Sequence, residues 1–302
     1  MKFPLFDAHC DTLSAMLETG QTLRRNSLHV DLDRGRKYMP WAQFFAIFGQ
    51  EFMPQYALFQ RELAANRADM MFCKTAQDAE IATSEGKTAA FLSVEGAELL
   101  DCSLERLEEA AARGVRMVTL TWNNKNALSG TNVEGSDRGL TQLGRRFVRK
   151  CQELGVIVDV SHLSEPGFWD VTEEVSGPFV ASHSNSATVW PHSRNLTDAQ
   201  FLAIIKAGGV AGLNLYSEFV GESPAVEDAI RHIEHFLDLG GAKSIAIGAD
   251  LDGCDTLPQG IAGIQDMEKL AEGLLGKNYS QALVQDIFYN NLFRVVQEVC
   301  VI

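Results

Sequence analysis

Short apolar runs of β-prone residues alternate with helical patterns along most of this chain, and that alternation restricts the fold more than any other feature. The runs are almost continuously apolar, as expected for parallel strands that are buried on both faces. Glycines such as Gly114 and Gly155 stand just before the next run, where a helix must end. The eight runs are Phe3–His9, Ala42–Gly49, Thr88–Glu95, Val115–Trp122, Val156–His162, Phe179–Ser184, Val210–Tyr216 and Ser244–Asp250.

The segments between these runs carry apolar residues at spacings of three and four, which predicts amphipathic helices. Ser103 and Thr197 precede two of these patterns and are expected to cap them. A last helix, roughly Ser280–Cys300, is expected to pack against the outside of the sheet. The clearest other helical patterns are Leu104–Arg113, Leu140–Leu154, Asp198–Ala207 and Ala225–Leu239.

Eight such units in about 250 residues fit the usual size of a (β/α)8 barrel. An open doubly wound sheet would more often show a glycine-rich dinucleotide turn after its first strand, and none follows Phe3–His9. We therefore predict an α/β fold, a TIM-like (β/α)8 barrel that forms a single domain over residues 1–302. The polar segment Asn123–Asp137 is expected to be one long loop.

Composition restricts the partners and the location of the protein. The net charge of −14 is spread along the chain, which argues against binding to nucleic acid or to an anionic membrane surface. The amino-terminal segment lacks the pattern of a signal peptide, and no apolar run is long enough to span a membrane. Six cysteines without C-x-x-C spacing indicate reduced thiols. A cytoplasmic location is the resulting prediction.

Residues able to bind metals fall at the ends of the predicted strands. His9 and Asp11 end the first run, and Glu95 ends the third. His162 and His183 end the fifth and sixth. In a (β/α)8 barrel the carboxyl ends of all strands share one rim, where active sites are built. A structural role is the better explanation for each residue taken singly, but the whole set predicts one metal centre.

Three imidazoles with carboxylates and no thiolate favour zinc, with manganese or cobalt as alternatives. Five ligands are too many for one catalytic zinc, so we expect two ions that share Glu95. His9 and Asp11 complete the first ligand set, and His162 and His183 complete the second. Two ions about 3.5–4 Å apart can hold a hydroxide at neutral pH and polarise a carbonyl. The pattern therefore predicts hydrolysis of an amide-like bond.

The leaving amine needs a proton shuttle, and Asp250 at the end of the last run is placed for it. Asp252 is the competing candidate. Arg194 follows His183 in the same loop region, and its guanidinium suits a substrate carboxylate, although a surface ion pair is the alternative role. His232 and His235 lie three apart on a predicted helix and are expected to be solvated surface residues.

The ordered set of motifs resembles the membrane (renal-type) dipeptidases, peptidase family M19. The resemblance runs from His9 to Gly253 and covers most of the chain. The motifs are Asp7-Ala8-His9-Cys10-Asp11, Ser93-Val94-Glu95-Gly96, Val158-Asp159-Val160-Ser161-His162, Ser182-His183-Ser184-Asn185, Arg194-Asn195 and Gly248-Ala249-Asp250-Leu251-Asp252-Gly253.

The resemblance implies a barrel of the metallo-dependent hydrolase type with two zincs, which hydrolyses L-Xaa-L-Xaa or L-Xaa-D-Xaa dipeptides. It implies the same ligands as above, with Arg194 as the carboxylate clamp and Asp250 as the acid and base. Tyr216 is similar to a tyrosine that lines the family's pocket, and the relatives suggest a homodimer. Trp122 is a departure, because it stands where mammalian-type members have a substrate-contacting histidine.

Two other readings of the residues compete with a dipeptidase. Amidohydrolases that act on a cyclic amide usually end their first strand in His-x-His, whereas this chain has His9-Cys10-Asp11. A barrel that binds metal without catalysis is the non-enzyme alternative, and Asp250 and Arg194 argue against it. We therefore predict a soluble, microbial-type dipeptidase.

Overall fold

The computed structural model describes residues 3–49 and 51–301 of the chain. Its strands are β1 (Leu5–Asp7), β2 (Trp41–Phe48), β3 (Met70–Phe72), β4 (Thr88–Glu95), β5 (Val115–Thr119), β6 (Ile157–Asp159), β7 (Val180–Ala181), β8 (Val210–Leu213) and β9 (Ile245–Ile247). Eight of them are parallel neighbours in the hydrogen-bonded order β2-β1-β9-β8-β7-β6-β5-β4, and β4 pairs with β2 to close the ring. This is a closed eight-stranded (β/α)8 barrel, as predicted.

Strand β3 lies outside the eight-stranded ring, and the sequence did not predict it. It pairs with the first half of β4, where Met70 is opposite Thr88. From Leu92 onward β4 pairs with β5 instead, and the register shifts between Leu92 and Ser93. Three apolar residues carry no readable periodicity, so β3 could be recognised only through its partner.

Several predicted strands were too long at their carboxyl ends. The last regular residue of β6 is Asp159, and that of β9 is Ile247. Beyond them, His162 (φ 68°) and Asp250 (φ 58°) adopt the left-handed region, which no strand residue can occupy. The metal-capable residues other than Glu95 therefore lie in the first turns after the strands rather than within them.

Helices surround the ring, and the predicted caps are confirmed. Ser103 accepts from the Arg106 amide, and Thr197 accepts from the Gln200 amide within a capping box. The helices are α1 (Thr12–Thr19), α2 (Leu32–Gly35), α3 (Phe52–Ala65), α4 (Ala76–Ser84), α5 (Leu104–Ala112), α6 (Gln142–Glu153), α7 (Glu165–Glu174), α8 (Asp198–Lys206), α9 (Ser217–Val220), α10 (Val226–Asp238), α11 (Glu268–Gly276), α12 (Gln281–Gln285) and α13 (Asn291–Val299).

The expected last helix is interrupted and sits elsewhere. A π-helical turn, Asp286–Asn290, separates α12 from α13. This segment packs across the amino-terminal end of the barrel, where the Tyr289 ring is 5.6 Å from that of Phe6. Asn291 fixes it there by donating to the Ile245 carbonyl at 2.8 Å. The barrel is thus closed at the end opposite its polar rim.

Two apolar cores hold the rim in place. One fills the barrel interior, where Phe6, Phe44 and Phe91 stack on one another with centroids 5.1–5.7 Å apart. The other lies between the strands and the surrounding helices and includes Cys10. All six cysteines are buried and unpaired. Among the described residues, no helix combines the length and apolarity that a membrane crossing requires.

Candidate metal centre

The carboxyl ends of β1, β4 and β9 bring three buried carboxylates around the His9 ring. His9 Nε2 lies 3.5 Å from Glu95 Oε2 and 3.6 Å from Asp11 Oδ2. Asp250 Oδ1 is 3.8 Å from the same nitrogen. All four residues are less than a tenth exposed, so their charges have little access to water.

The second oxygen of Glu95 faces two further imidazoles. Glu95 Oε1 is 3.0 Å from His162 Nε2 and 3.4 Å from His183 Nε2, and these two nitrogens are 3.0 Å apart. The five residues predicted as metal ligands therefore converge, with Glu95 between two groups. Glu95 reaches this position because it is the last residue of β4.

The ring tautomers indicate which atoms could bind a cation. His162 Nδ1 lies 2.9 Å from Asn123 Oδ1, an acceptor, so the proton belongs on Nδ1. His183 Nδ1 likewise lies 2.7 Å from Ser182 Oγ, whose own proton goes to Asp159 at 2.6 Å. Both Nε2 atoms are then lone-pair donors that face each other and a carboxylate oxygen.

This donor set fits divalent cations. His9 Nε2 and Asp11 Oδ1 are buried without a hydrogen-bond partner among the described residues, as expected of metal ligands. Two groups of three donors are close enough to hold an ion, namely His9, Glu95 and His183, and His9, Asp11 and Asp250. Nitrogen and carboxylate donors without a thiolate suit zinc and similar ions.

Burial and neighbouring charges shift the pKa values of these groups away from their ordinary values. Burial, followed by the charge of Arg194, lowers the pKa of His162 to about 4, so its imidazole is neutral as a ligand must be. Burial and then His9 lower the pKa of His183 to about 3. Burial opposes ionisation of Glu95, but the positive charge of His9 holds its pKa well below the usual range.

Asp250 has the environment of a proton-transfer group. Burial raises its pKa to about 6, and the negative charge of Glu95 acts in the same direction. One oxygen accepts from Asn214 Nδ2 at 3.0 Å, while the other faces His9. The left-handed backbone of Asp250 aims the carboxylate inward, and strain of this kind is common at functional sites.

Asp252, the competing candidate, is used differently. Its Oδ2 accepts from the Thr12 hydroxyl at 2.6 Å, and its Oδ1 accepts from the His29 amide at 2.6 Å. Both oxygens are therefore occupied in holding the start of α1 and the loop before α2 against the end of β9. Gly253, the residue after Asp252, leaves room for the carboxylates of Asp11 and Asp250. A Cβ atom at this position would overlap both of them.

Arg194 is a buried cation rather than the surface ion pair considered above. Its Nη1 donates to Ser184 Oγ at 3.4 Å and its Nη2 to the His183 carbonyl at 3.3 Å. Both bonds are long, and Nε has no partner among the described residues. Most of the donor capacity of the guanidinium is thus open to an anion beside the metal-capable residues.

Trp122 and Tyr216 stand at the edge of this centre. The Trp122 ring packs edge-on against Phe48 at 5.1 Å and lies 6.5 Å from the His162 ring, so it flanks one of the candidate ligands. Tyr216 directly precedes α9, is half-buried and packs against Phe219 at 4.8 Å. Neither ring is fully in the core.

The prediction that His232 and His235 are solvated was wrong for His232, which is fully buried. Its Nδ1 accepts from the Ser186 amide at 3.1 Å, and its Nε2 faces the Val220 carbonyl at 3.0 Å. The backbone of the loop after β7 and of α9 supplies these partners, and a helix pattern does not reveal them. His235 is half-buried and lies 2.8 Å from Asp198.

Sequence reasoning also missed the supporting residues Asp159, Ser182, Asn123 and Asn214. A readable sign existed for Asp159, because a carboxylate inside an apolar strand must have partners. Asn123 and Asn214 carried no such sign.

A family model described as membrane dipeptidase (peptidase family M19) matches residues 1–302. A Klebsiella pneumoniae protein described as an uncharacterized protein in the pqqA 5' region is 30% identical over 259 residues, 81% of this chain and 94% of that protein. A Schizosaccharomyces pombe protein described as an uncharacterized dipeptidase is 31% identical over 270 residues, 80% of this chain and 64% of that protein.

Two solved structures are similar to this chain over almost its entire length. A metallo peptidase from Rhodobacter sphaeroides, liganded with a phosphinate mimic of the dipeptide L-Ala-D-Ala, has a TM-score of 0.90 and 26% identity, covering 99% of this chain and 100% of that one. A metallo peptidase of family M19, dipeptidase AC, has a TM-score of 0.91 and 27% identity, covering 99% of each chain. This chain therefore belongs to the membrane dipeptidase family of metallopeptidases, peptidase family M19.

Proposed function

We propose that this protein is a binuclear zinc dipeptidase that hydrolyses the peptide bond of L-Xaa-L-Xaa or L-Xaa-D-Xaa dipeptides. The observation that carries the proposal is the placement of Glu95 between two donor groups, with Oε2 toward His9, which lies beside Asp11, and Oε1 toward His162 and His183. The dipeptide mimic in the Rhodobacter sphaeroides relative supports the substrate class. Location in the cytoplasm and a homodimer stay predictions from the sequence and the resemblance.

The proposed ligands are His9, Asp11 and Glu95 for one ion, and Glu95, His162 and His183 for the other. Zinc is the ion favoured by neutral imidazoles with carboxylates, and manganese and cobalt are alternatives. Two such ions, when bound, supply an activated water and polarise the scissile carbonyl.

Arg194 is proposed to hold the carboxylate of the dipeptide. A buried guanidinium with one unpaired N–H and two long hydrogen bonds gains most from a bidentate anion. Its contact with the His183 carbonyl supports a position for this anion next to a proposed metal ligand. A carboxylate fixed so close to the reaction leaves room for only a short substrate.

Asp250 is proposed to carry the proton from the attacking water to the leaving amine. A pKa near 6 lets the same carboxyl group accept and release a proton at neutral pH. Asn214 holds one oxygen, so the other is directed toward His9 and the reaction centre. Trp122 and Tyr216 are proposed to line the substrate pocket, with Trp122 setting a substrate range different from that of members with histidine there.

The proposal is tested on protein purified without chelator. We expect about two ions per chain by elemental analysis and cleavage of L-L or L-D dipeptides but not of a cyclic amide. In Asp250→Asn the metal content should stay the same while kcat falls roughly 100-fold or more. Asp255→Asn, the same change at an exposed position, should leave both unchanged.

Different failures contradict different parts of the proposal. A full metal content without turnover of any dipeptide rules out the substrate class. Protein that cannot be loaded with metal rules out the proposed ligands. An Asp250→Asn variant with normal kcat would show that Asp250 does not carry the proton.

A further inference from the structure

The last residue of β1 is a buried aspartate, Asp7, to which the proposed reaction gives no role. Its Oδ1 accepts from the His9 amide at 3.2 Å and from the Ala249 amide at 2.9 Å. Both of these residues are buried, and neither amide has a backbone acceptor among the described residues. Ala249 directly precedes Asp250. One carboxylate oxygen therefore holds the backbone at a candidate ligand and next to the proposed proton-transfer residue.

The same arrangement recurs between β6 and β7. Asp159 is the last residue of β6, and its Oδ1 accepts from the Ser161 amide at 3.0 Å and from the Ser182 amide at 2.8 Å. Ser182 directly precedes His183, a candidate ligand. In both places a carboxylate connects the end of its own strand to the residue before a functional side chain on the neighbouring strand.

The contact of Asp7 with Ala249 lies where the regular pairing of β1 with β9 has ended. The paired residues are Asp7 and Ile247, and the Ala8 amide donates to the Ile247 carbonyl at 2.9 Å. The next backbone bond runs from the Asp250 amide to the His9 carbonyl and is long, at 3.2 Å. Asp7 supplies the connection at Ala249, between these two bonds.

We propose that Asp7 is a positioning residue that sets the distance between the His9 ring and the Asp250 carboxylate. This inference rests on the proposed function, in which His9 holds an ion and Asp250 moves the proton. Asp250 Oδ1 lies 3.8 Å from His9 Nε2, and the backbone on both sides of this contact is attached to one oxygen of Asp7. Proton transfer requires a narrow range of distances, so a shift of the Ala249 backbone slows the chemical step.

Substrate binding should depend much less on Asp7. The proposed carboxylate clamp, Arg194, donates to Ser184 and to the His183 carbonyl. The backbone before His183 is held by Asp159, on the other side of the barrel rim. Loss of the Asp7 carboxylate should therefore lower kcat more than it raises KM.

The first test removes the acceptor of both amides. For the dipeptide that the wild type cleaves fastest, and with zinc saturating, we expect Asp7→Ala to lower kcat roughly 10–100-fold and to change KM by less than about threefold. Asp7→Asn keeps an acceptor oxygen and should bring kcat back to within about threefold of the wild type. If Asp7→Ala does not fold, Asp7→Ser replaces it. Its oxygen can still accept from the His9 amide but lies one bond nearer the backbone and leaves Ala249 unpaired, so the same fall in kcat is expected.

The matched control is Asn291→Ala, which removes a buried polar side chain at the other end of β9. Asn291 donates to the Ala242 carbonyl at 2.9 Å and to the Ile245 carbonyl at 2.8 Å. Loss of these bonds should lower the melting temperature and leave kcat and metal content of the folded protein unchanged. If Asn291→Ala lowers kcat as much as Asp7→Ala does, Asp7 has only a structural role and the inference is wrong.

The second test asks whether Asp7 acts through Asp250. Once the proton-transfer carboxylate is absent, its placement no longer affects the rate. We therefore expect Asp7→Ala to lower kcat by less than about threefold when it is added to Asp250→Asn. Equal losses in the wild-type and Asp250→Asn backgrounds would contradict action through Asp250.

The outcomes separate this inference from the proposed function. If the wild type cleaves dipeptides and Asp7→Ala keeps its kcat, the positioning role is wrong while the dipeptidase activity stands. If the metal-loaded wild-type protein cleaves no dipeptide, the proposed function fails and the role of Asp7 fails with it.

Discussion

His183 is held by a chain of hydrogen bonds that ends on a buried carboxylate. Ser182 gives its single proton to Asp159 and must therefore accept from His183 Nδ1. Asp159 also accepts from the Thr119 hydroxyl at 2.6 Å and from two backbone amides, so its own position is fixed. A carboxylate that acts through a hydroxyl on an imidazole orients the ring and makes Nε2 a better ligand.

Loss of the Ser182 hydroxyl should weaken metal binding. Ser182→Ala leaves the Nδ1 proton of His183 unpaired, so the ring can rotate or change tautomer. We expect metal affinity to fall roughly 10–100-fold, measured by competition with a chromophoric chelator. Ser182→Thr keeps the hydroxyl and should restore most of the affinity. Ser186→Ala removes a buried hydroxyl that contacts no candidate ligand, and equal losses in these two alanine variants would refute the relay.

At the scale of elements, all eight barrel strands were predictable because each lies in an almost continuously apolar run. Their order around the ring also followed, since β/α units close in sequence order. Strand β3 was not predictable, because Met70–Phe72 gains its strand conformation only from pairing with β4. The break in the last helix depends similarly on how Tyr289 meets the barrel interior.

The metal centre, too, could be predicted from the sequence only in part. The strand ends that carry His9 and Glu95 could be read from the sequence, because the barrel brings all such ends to one rim. The orientation of side chains there could not be read. His162 and Asp250 face inward through left-handed backbone, and the contacts of Asp252 with Thr12 and His29 span more than 200 residues.

His232 connects helix α10 to the segments at the carboxyl end of the barrel through contacts with Ser186 and Val220. Its titration should make the free energy of unfolding depend on pH. Burial lowers the pKa of His232 to about 4. A second proton on the ring would also break the hydrogen bond that the neutral ring accepts from the Ser186 amide. The unfolded chain has an ordinary histidine pKa near 6.5. The unfolded state therefore binds the extra proton first as the pH falls.

This stabilising contribution should be complete above about pH 6.5 and lost as the pH falls toward 4. Gln at position 232 cannot titrate, so His232→Gln should lack this pH dependence. We expect the difference in unfolding free energy between wild type and His232→Gln to shift by about 1–2 kcal/mol against the wild type from pH 7 to pH 5. Urea unfolding at both pH values measures it, and a constant difference would contradict the assignment.

At the scale of the whole molecule, the two ends of the barrel differ in what holds them together. The amino-terminal end is filled by stacked phenylalanines and covered by α13, so burial of apolar surface stabilises it. The carboxyl-terminal end contains Asp11, Glu95 and Asp250, three buried carboxylates within reach of one imidazole. Burial and the charge of Glu95 raise the pKa of Asp11 to about 7, which shows how unfavourable its ionised form is without a cation.

Removal of metal should therefore destabilise the entire barrel, because the proposed ligands come from the ends of β1, β4, β6 and β7. Binding to the folded state alone contributes about 4 kcal/mol when free metal is 1,000 times its dissociation constant. We expect chelation to lower the melting temperature by roughly 5–10 °C and added Zn²⁺ to restore it. Glu95→Gln removes the shared ligand, so its melting temperature should respond little to chelator. Identical melting curves for metal-loaded and chelated wild-type protein would show that no ion links these strands.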